Sequence, residues 1–289
     1  MYKGGHYYSL KINRSTANGQ YLVDEEGAEV LLPRRYVSPE SQEGDTLRVF
    51  VYYDSEDRPV ATTETPLAAA DEAAFLEVTD KTVHGVFLNW GLPKDLFLPA
   101  RNQSYRMDCG KKYVVYLYTD NVTGRTVATA RLNGFIRNEE LTVAPGDETD
   151  ILVAQENRLG YRVIVNNRHW GMLYHNQIFA PVAVGDRYKA YVQRITEDNR
   201  IDLTLQQPGY DGVRESAEKL LALLRSGNGT LEAGDDSTPE RVHELTGMSK
   251  NTFKRSVGFL LKKGLIEAAG ERIALKSASP DTDKTSSDA

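Results

Sequence analysis

At 289 residues the chain is too long for one small barrel and long enough for roughly two to four domains. Charged residues at 26% and apolar residues at 40% exclude a disordered or membrane-spanning class. The net charge of −6 excludes a protein that coats polyanions indiscriminately, because such binding draws its affinity from phosphate neutralisation. In chain order, the first ten residues, MYKGGHYYSL, lack the apolar core of a signal peptide, so a cytoplasmic protein without membrane contact is expected. Next comes a threefold repeat. GQYLVDEEGAEVLLP from Gly19, GVFLNWGLPKDLFLP from Gly85 and GYRVIVNNRHWGMLY from Gly160 align without a gap. Thirteen residues after each glycine stand Leu32, Leu98 and Leu173; twenty-five residues after it stand Gly44, Gly110 and Gly185. The runs LRVFVYY, YVVYLYT and YKAYVQR follow, and beyond each an arginine (Arg58, Arg125, Arg200) opens a last strand.

Alternating, β-branched and aromatic runs bounded by Gly, Asn and Asp predict five short strands per repeat. Such a unit closes on itself and so removes its edges, which favours an OB-fold barrel over an SH3-like barrel or a continuous sandwich. The expected boundaries are 1–65, 75–137 and 148–208, with TPLAAADEAA (65–74) and NEELTVAPGD (138–147) as linkers. Counted from the sequence, residues 8–64 carry −5, residues 75–137 carry +4 and residues 150–208 carry +1, so the three units are not electrostatically equivalent.

After Pro208 the period changes to helical. VRESAEKLLALLR sets Val213, Leu220, Leu221 and Leu224 on one face, and NGTLEAGDDS predicts a turn and a short strand. Ser237, ahead of Pro239 and Glu240, is the expected N-cap of a second helix ending at Gly247. A third helix runs from Ser249 to near Gly264, and LIEAAGERIAL forms a hairpin. This is the order of a winged helix-turn-helix over 209–276, ahead of a polar tail at 277–289 expected to be disordered. The expected architecture is therefore multidomain and mainly β: three tandem five-stranded OB-fold barrels followed by an α+β winged helix-turn-helix domain.

AEVLLPRRYV (28–37), VFVYYDSEDRPVATTE (49–64), NWGLPKDLFLP (89–99), YVVYLYTD (113–120), NNRHWGMLY (166–174) and GMSKNTFKRSVGFLLKKGLI (247–266) together resemble the conserved virulence factor B family of bacterial proteins. The resemblance implies RNA-binding modules similar to those repeated in the largest protein of the small ribosomal subunit, a winged helix, and a role in post-transcriptional control. In well-known modules of that kind a phenylalanine precedes the first glycine and a histidine follows it by fourteen residues. Here those places hold Asn18, His84 and Leu159, then Pro33, Pro99 and Tyr174.

Strand alternation turns Leu22, Leu88 and Val163 inward and Tyr21, Phe87 and Arg162 outward. Flat outward groups suit single-stranded RNA, whose unstacked bases pile onto π and guanidinium surfaces. The competing reading is a ring that covers a linker or a neighbouring barrel. The second module looks best equipped, with His84, Phe87, an Asp120–Arg125 pair and a positive balance. The acidic first module offers Tyr21 and Arg58 beside Asp54; the third offers Arg162, Tyr174 and Arg200, with Arg168, His169 and Trp170 in an expected loop. In the third helix of the winged domain Phe253, Val257, Leu260 and Leu261 form the expected core stripe, leaving Lys250, Asn251, Lys254, Arg255 and Lys262 for nucleic acid. A solvated face, a protein-docking wing, or duplex DNA readout by a transcriptional regulator are the alternatives for this helix. An enzyme would need a nucleophile, a base and a positioned electrophile, and no motif supplies them. Cys109 is a lone cysteine and the five histidines (His6, His84, His169, His175, His243) show no ligand spacing with it, so no metal or cofactor is expected.

Overall fold

The computed structural model describes residues 2–178, 181–206, 210–270 and 272–276. The chain divides into two compact units, Met1–Leu205 and Gln206–Ala289. The tail expected at 277–289 lies outside the described residues.

The first unit holds three copies of one five-stranded arrangement. Barrel 1 comprises β1 (His6–Thr16), β2 (Gly19–Val23), β3 (Glu29–Pro33), β4 (Thr46–Tyr53) and β5 (Pro59–Thr62), closed in the order β1-β2-β3-β5-β4. Barrel 2 comprises β6 (Ala73–Thr82), β7 (Gly85–Asn89), β8 (Leu96–Pro99), β9 (Lys112–Thr119) and β10 (Thr126–Thr129). Barrel 3 comprises β11 (Glu148–Asn157), β12 (Gly160–Val165), β13 (His169–Tyr174), β14 (Arg187–Ile195) and β15 (Ile201–Thr204), closed in the same order as barrel 1. Each first strand carries a register shift at the same place, Ile12/Arg14, Val78/Asp80 and Val153/Gln155, which bends it across two neighbours.

The repeated first glycine has a steric cause. Gly19, Gly85 and Gly160 adopt φ of +141°, +156° and +157°. A Cβ on them would stand 2.1, 2.2 and 1.9 Å from the carbonyl oxygens of Leu32, Leu98 and Leu173, the very leucines of the thirteen-residue spacing.

Barrel 2 departs from the expected closure. Its sheet runs β10-β9-β6-β7-β8, so β8 and β10 bound a seam without a ladder between them. One end of the seam is fastened by Asn102, just past β8: its Nδ2 donates to Ala128 O at 3.2 Å and its carbonyl accepts from Ala130 N at 2.9 Å. In barrel 3 the corresponding strands pair directly, from Gly171↔Ile201 to Leu173↔Leu203.

The barrels do not hang on bare tethers. Within 65–74, Ala68, Ala70, Ala73 and Ala74 are buried, because side chains this small let the backbone lie in the joint. Phe50, Tyr52 and Val60 of barrel 1 share a core with Trp90 and the interior of barrel 2. That is why LRVFVYY is apolar on both faces: Val49 and Val51 fill barrel 1 while Phe50 and Tyr52 fill the joint. A second joint packs Ala73, Val114, Tyr116 and Ile136 against Leu152 and Ile164 of barrel 3. In 138–147, Asn138 Nδ2 donates to Trp170 O and to Asn199 O, both at 2.8 Å, and Leu141 and Val143 pack on barrel 3.

His169 and Trp170 open strand β13; they are not loop residues. His169 is buried, with Nδ1 2.7 Å from Arg137 O and Nε2 accepting from Thr142 N at 3.2 Å, which places the ring proton on Nδ1. It shares the buried side of β13 with Gly171 and Leu173 and ties residues 137–142 to barrel 3.

The second unit comprises α1 (Tyr210–Ser226), β16 (Thr230–Leu231), α2 (Pro239–Thr246), α3 (Lys250–Lys262), β17 (Ile266–Ala269) and β18 (Arg272–Leu275), with sheet order β16-β18-β17. Leu220, Leu224, Val242, Phe253, Leu260 and Ile273 form its core. Two local expectations shift. Thr238, not Ser237, caps α2 by accepting from Arg241 N, since Ser237 is drawn inward to accept from Gly234 N at 2.9 Å. Leu261 is exposed while Ser256 is buried, so the core stripe of α3 runs through 253, 256, 257 and 260. Among the described residues no helix is long and apolar enough to cross a membrane.

Candidate nucleic-acid interface

On β7, Val86 and Leu88 are fully buried and Phe87 between them is partly exposed, as the alternation predicts. The same alternation on β8 buries Leu96 and Leu98 and turns out Phe97, whose ring centre lies 5.2 Å from that of Phe87. The pair stands beside the unladdered seam between β8 and β10. A cleft of about 540 Å³ opens over this seam, and its walls include His84, Phe87, Phe97, Arg101, Asp120 and Arg125. Tyr52, Tyr53 and Trp90 extend the wall toward barrel 1. Four of the residues singled out in module 2 thus meet in one place.

The expected Asp120–Arg125 ion pair is absent among the described contacts. Asp120 instead caps its own turn, accepting from Val122 N at 3.1 Å, Thr123 N at 2.8 Å and Thr123 Oγ1 at 3.0 Å. These donors, the Thr123 backbone N–H foremost, hold its carboxyl below the usual range. Arg125 reaches across the joint to Asp57 of barrel 1, at 2.5 Å. Asp57 sits at φ +61° in the DSEDR turn, and that conformation projects its carboxylate toward barrel 2. Both partners are about half exposed, 44% and 50%, so a competing phosphate can displace a pair of this kind at a cost of about 0–1 kcal/mol. Lys94 joins the barrels as well, donating from Nζ to Asp54 O at 2.5 Å, with burial lowering its pKa.

In barrel 1 the candidates are already occupied. The Arg14 guanidinium stands 3.8 Å over the Tyr21 ring and bonds Glu29 at 2.8 Å. Arg58 is held by Asp54 at 2.7 Å and by Glu56 at 2.8 Å. In barrel 3 the structure brings Arg162 and Trp170 together, with the guanidinium carbon 3.6 Å from the indole centre. Tyr174 donates to Asp202 at 3.0 Å, and Arg200 pairs with Asp198 at 2.9 Å. Arg168 is exposed in the turn before β13 and lines a different depression, with Tyr116 and Phe135. On α3 the side chains of Asn251, Lys254, Arg255 and Lys262 are exposed and Lys250 is half-buried; Lys254 meets Asp235 at 3.1 Å.

Sequence reasoning missed Phe97, Lys94 and Arg101. Phe97 carried a usable signal, since Leu96, Phe97 and Leu98 obey the rule that located Phe87. Lys94 and Arg101 belong to the cleft only because of how β8 and barrel 1 are placed, and no local pattern marks that.

Residues 5–64 and 74–131 match the S1 domain family, and residues 218–275 match the CvfB-like winged helix domain family. Barrel 3 lies between the two. The chain is 29% identical over 272 residues to YitL of Bacillus subtilis, covering 91% of this chain and 90% of that one. It is 21% identical over 290 residues to conserved virulence factor B of Staphylococcus aureus strain USA300, covering 95% and 88%. Among solved structures it is similar, at a TM-score of 0.41 and 20% identity over 94% of this chain and 98% of the other, to a multidomain protein with nucleic acid binding domains from Streptococcus pneumoniae. The protein is thus an S1-domain protein with a CvfB-like winged helix domain, homologous along nearly its whole length to YitL and conserved virulence factor B.

Proposed function

We propose that the protein is a non-catalytic, cytoplasmic RNA-binding regulator that holds single-stranded RNA mainly on the seam face of barrel 2. The observation that carries this reading is the 540 Å³ cleft, where the Phe87–Phe97 pair and His84 meet Arg101 and Arg125. Such a surface offers bases a stacking platform and phosphates mobile cations, while its turn acids are engaged in capping or in exposed ion pairs. Barrel 1, with a sequence charge of −5 over residues 8–64 and with Tyr21 under Arg14, serves as a wall of the cleft more than as a second platform. The winged helix contributes phosphate contacts through Arg255 and Lys262, whose side chains are exposed on α3. Fluorescence anisotropy with a labelled single-stranded RNA and a duplex DNA of equal length tests the reading. It requires tighter, salt-sensitive binding to the RNA; a preference for the duplex would assign the function to the winged helix as a DNA reader.

A further inference from the structure

A second cleft, of about 560 Å³, lies between barrels 2 and 3; Tyr105, Arg131, Asn133, Gln155, Arg162 and Trp170 line it, and no carboxylate does so among the described residues. Elsewhere in the first unit Arg14 rests on Glu29, Arg58 on Asp54, Arg125 on Asp57, Arg194 on Asp202 and Arg200 on Asp198, whereas Arg35 and Arg48 lie on tyrosine rings. Arg162 does not rest on an acid. Among the described residues its polar partner is a neutral amide oxygen, Asn133 Oδ1, at 3.2 Å from Nη2. One face of its guanidinium lies on Trp170, and burial without a compensating acid pulls its pKa down. A cation taken partly out of water beside neutral partners is electrostatically unsatisfied, and an anion in the cleft would relieve it. Arg131, exposed on the turn that follows barrel 2, lines the same space. Tyr105 presents a half-exposed ring braced on Tyr113 at 5.6 Å.

We propose that this cleft is a composite nucleotide site shared by barrels 2 and 3, in which Arg162 and Arg131 take a phosphate and Tyr105 stacks the adjoining base. The site rests on the reading that the barrels bind RNA, and it adds a phosphate position that neither barrel holds alone. A guanidinium already flattened against an indole keeps its N–H fork fixed for two phosphate oxygens, which a lysine in its place could not do.

Asn133→Asp in the full chain puts a carboxylate where the amide oxygen now stands, neutralising Arg162 without disturbing its stack. The expected result is an affinity for single-stranded RNA about tenfold weaker, the value of one charge-assisted contact. The slope of log K against log salt should shrink by about 0.7, the counterion release of one phosphate on a single strand. Asn133→Ser, which leaves the charge of the cleft unchanged, should lose far less affinity than Asn133→Asp and keep the parent's salt slope. A merely structural Arg162 would gain an ion pair from Asn133→Asp and keep its RNA affinity. That outcome, with Phe87→Ala still weakening binding, overturns the composite site and leaves the barrel 2 reading standing. Should the parent protein bind no RNA, the barrel reading fails, and the site is then tested alone by NMR of the Arg162 Nε–H signal. A shift on titration with uridine monophosphate or inorganic phosphate, lost in Asn133→Asp, keeps the site as one for free phosphates; no shift with either overturns it.

Discussion

Phe87→Ala separates a binding ring from a core ring, because the two roles differ in magnitude as well as in kind. An exposed aromatic that stacks one base contributes about 1–3 kcal/mol, so its loss should raise the RNA Kd about 5- to 140-fold. Against the fold, the truncation removes one aromatic pair, with Phe97 at 5.2 Å, and leaves Val86 and Leu88 filling the barrel. Such a pair contributes about 0.5–1.5 kcal/mol beyond area burial, which in a unit of this size lowers Tm by about 1–6 °C. Leu88→Ala is the matched control. Its side chain is fully buried, so deletion should cost about 2–5 kcal/mol and shift Tm well beyond the Phe87 variant. Anisotropy titration gives the first quantity and thermal unfolding followed by circular dichroism gives the second. A Tm loss equal to that of Leu88→Ala, or an unchanged Kd in a folded variant, would refute the assignment of Phe87 to the binding face.

Gly85→Ala should destabilise the first unit by about 3 kcal/mol or more in thermal unfolding, since the new Cβ would stand 2.2 Å from Leu98 O in a conformation that alanine avoids. Asp120→Asn should lower stability at neutral pH, because a carboxyl with a depressed folded-state pKa stabilises above the ordinary value of about 3.9. The gap between variant and parent should then close as pH falls through the folded-state value, and a gap that widened toward acid in parallel melts would contradict the turn-capping role. Arg255→Ala with Lys262→Ala should weaken RNA binding modestly and reduce its salt slope without altering the ranking of RNA sequences, as competition titrations would reveal.

The threefold repeat and the winged helix were legible because both are local consequences of residue type. The glycine column at 19, 85 and 160 answers to a steric clash within 3 Å of the backbone, the column at 44, 110 and 185 to a positive φ, and the inward column at Leu22, Leu88 and Val163 to strand alternation. What escaped the sequence lies between the modules. TPLAAADEAA has the composition of a linker, and its alanines are nonetheless buried, because a joint selects small side chains just as a tether tolerates them. Arg125 shares a turn with Asp120, and proximity in sequence suggested a pair; the positive φ of Asp57 decides otherwise by delivering a carboxylate from the neighbouring barrel. His169 looked like a loop residue because no pattern shows that Arg137 O and Thr142 N await it.

The three copies also explain how one fold can carry unlike faces. Positions that close each barrel are fixed by sterics and hardly vary: glycine at 19, 85 and 160, and leucine at 32, 98 and 173. The outward position two residues past each glycine meets no such demand, and it holds tyrosine, phenylalanine and arginine in turn. Each has acquired different surroundings. Tyr21 lies under Arg14, Phe87 faces an open cleft, and Arg162 lies on Trp170 beside a neighbouring turn. A single strand crossing these faces would therefore meet a shielded ring, a free ring and an uncompensated cation in succession. Affinity should concentrate at barrel 2 and at its joint with barrel 3, so that Tyr21→Ala costs far less binding than Phe87→Ala although both remove the same column of the repeat.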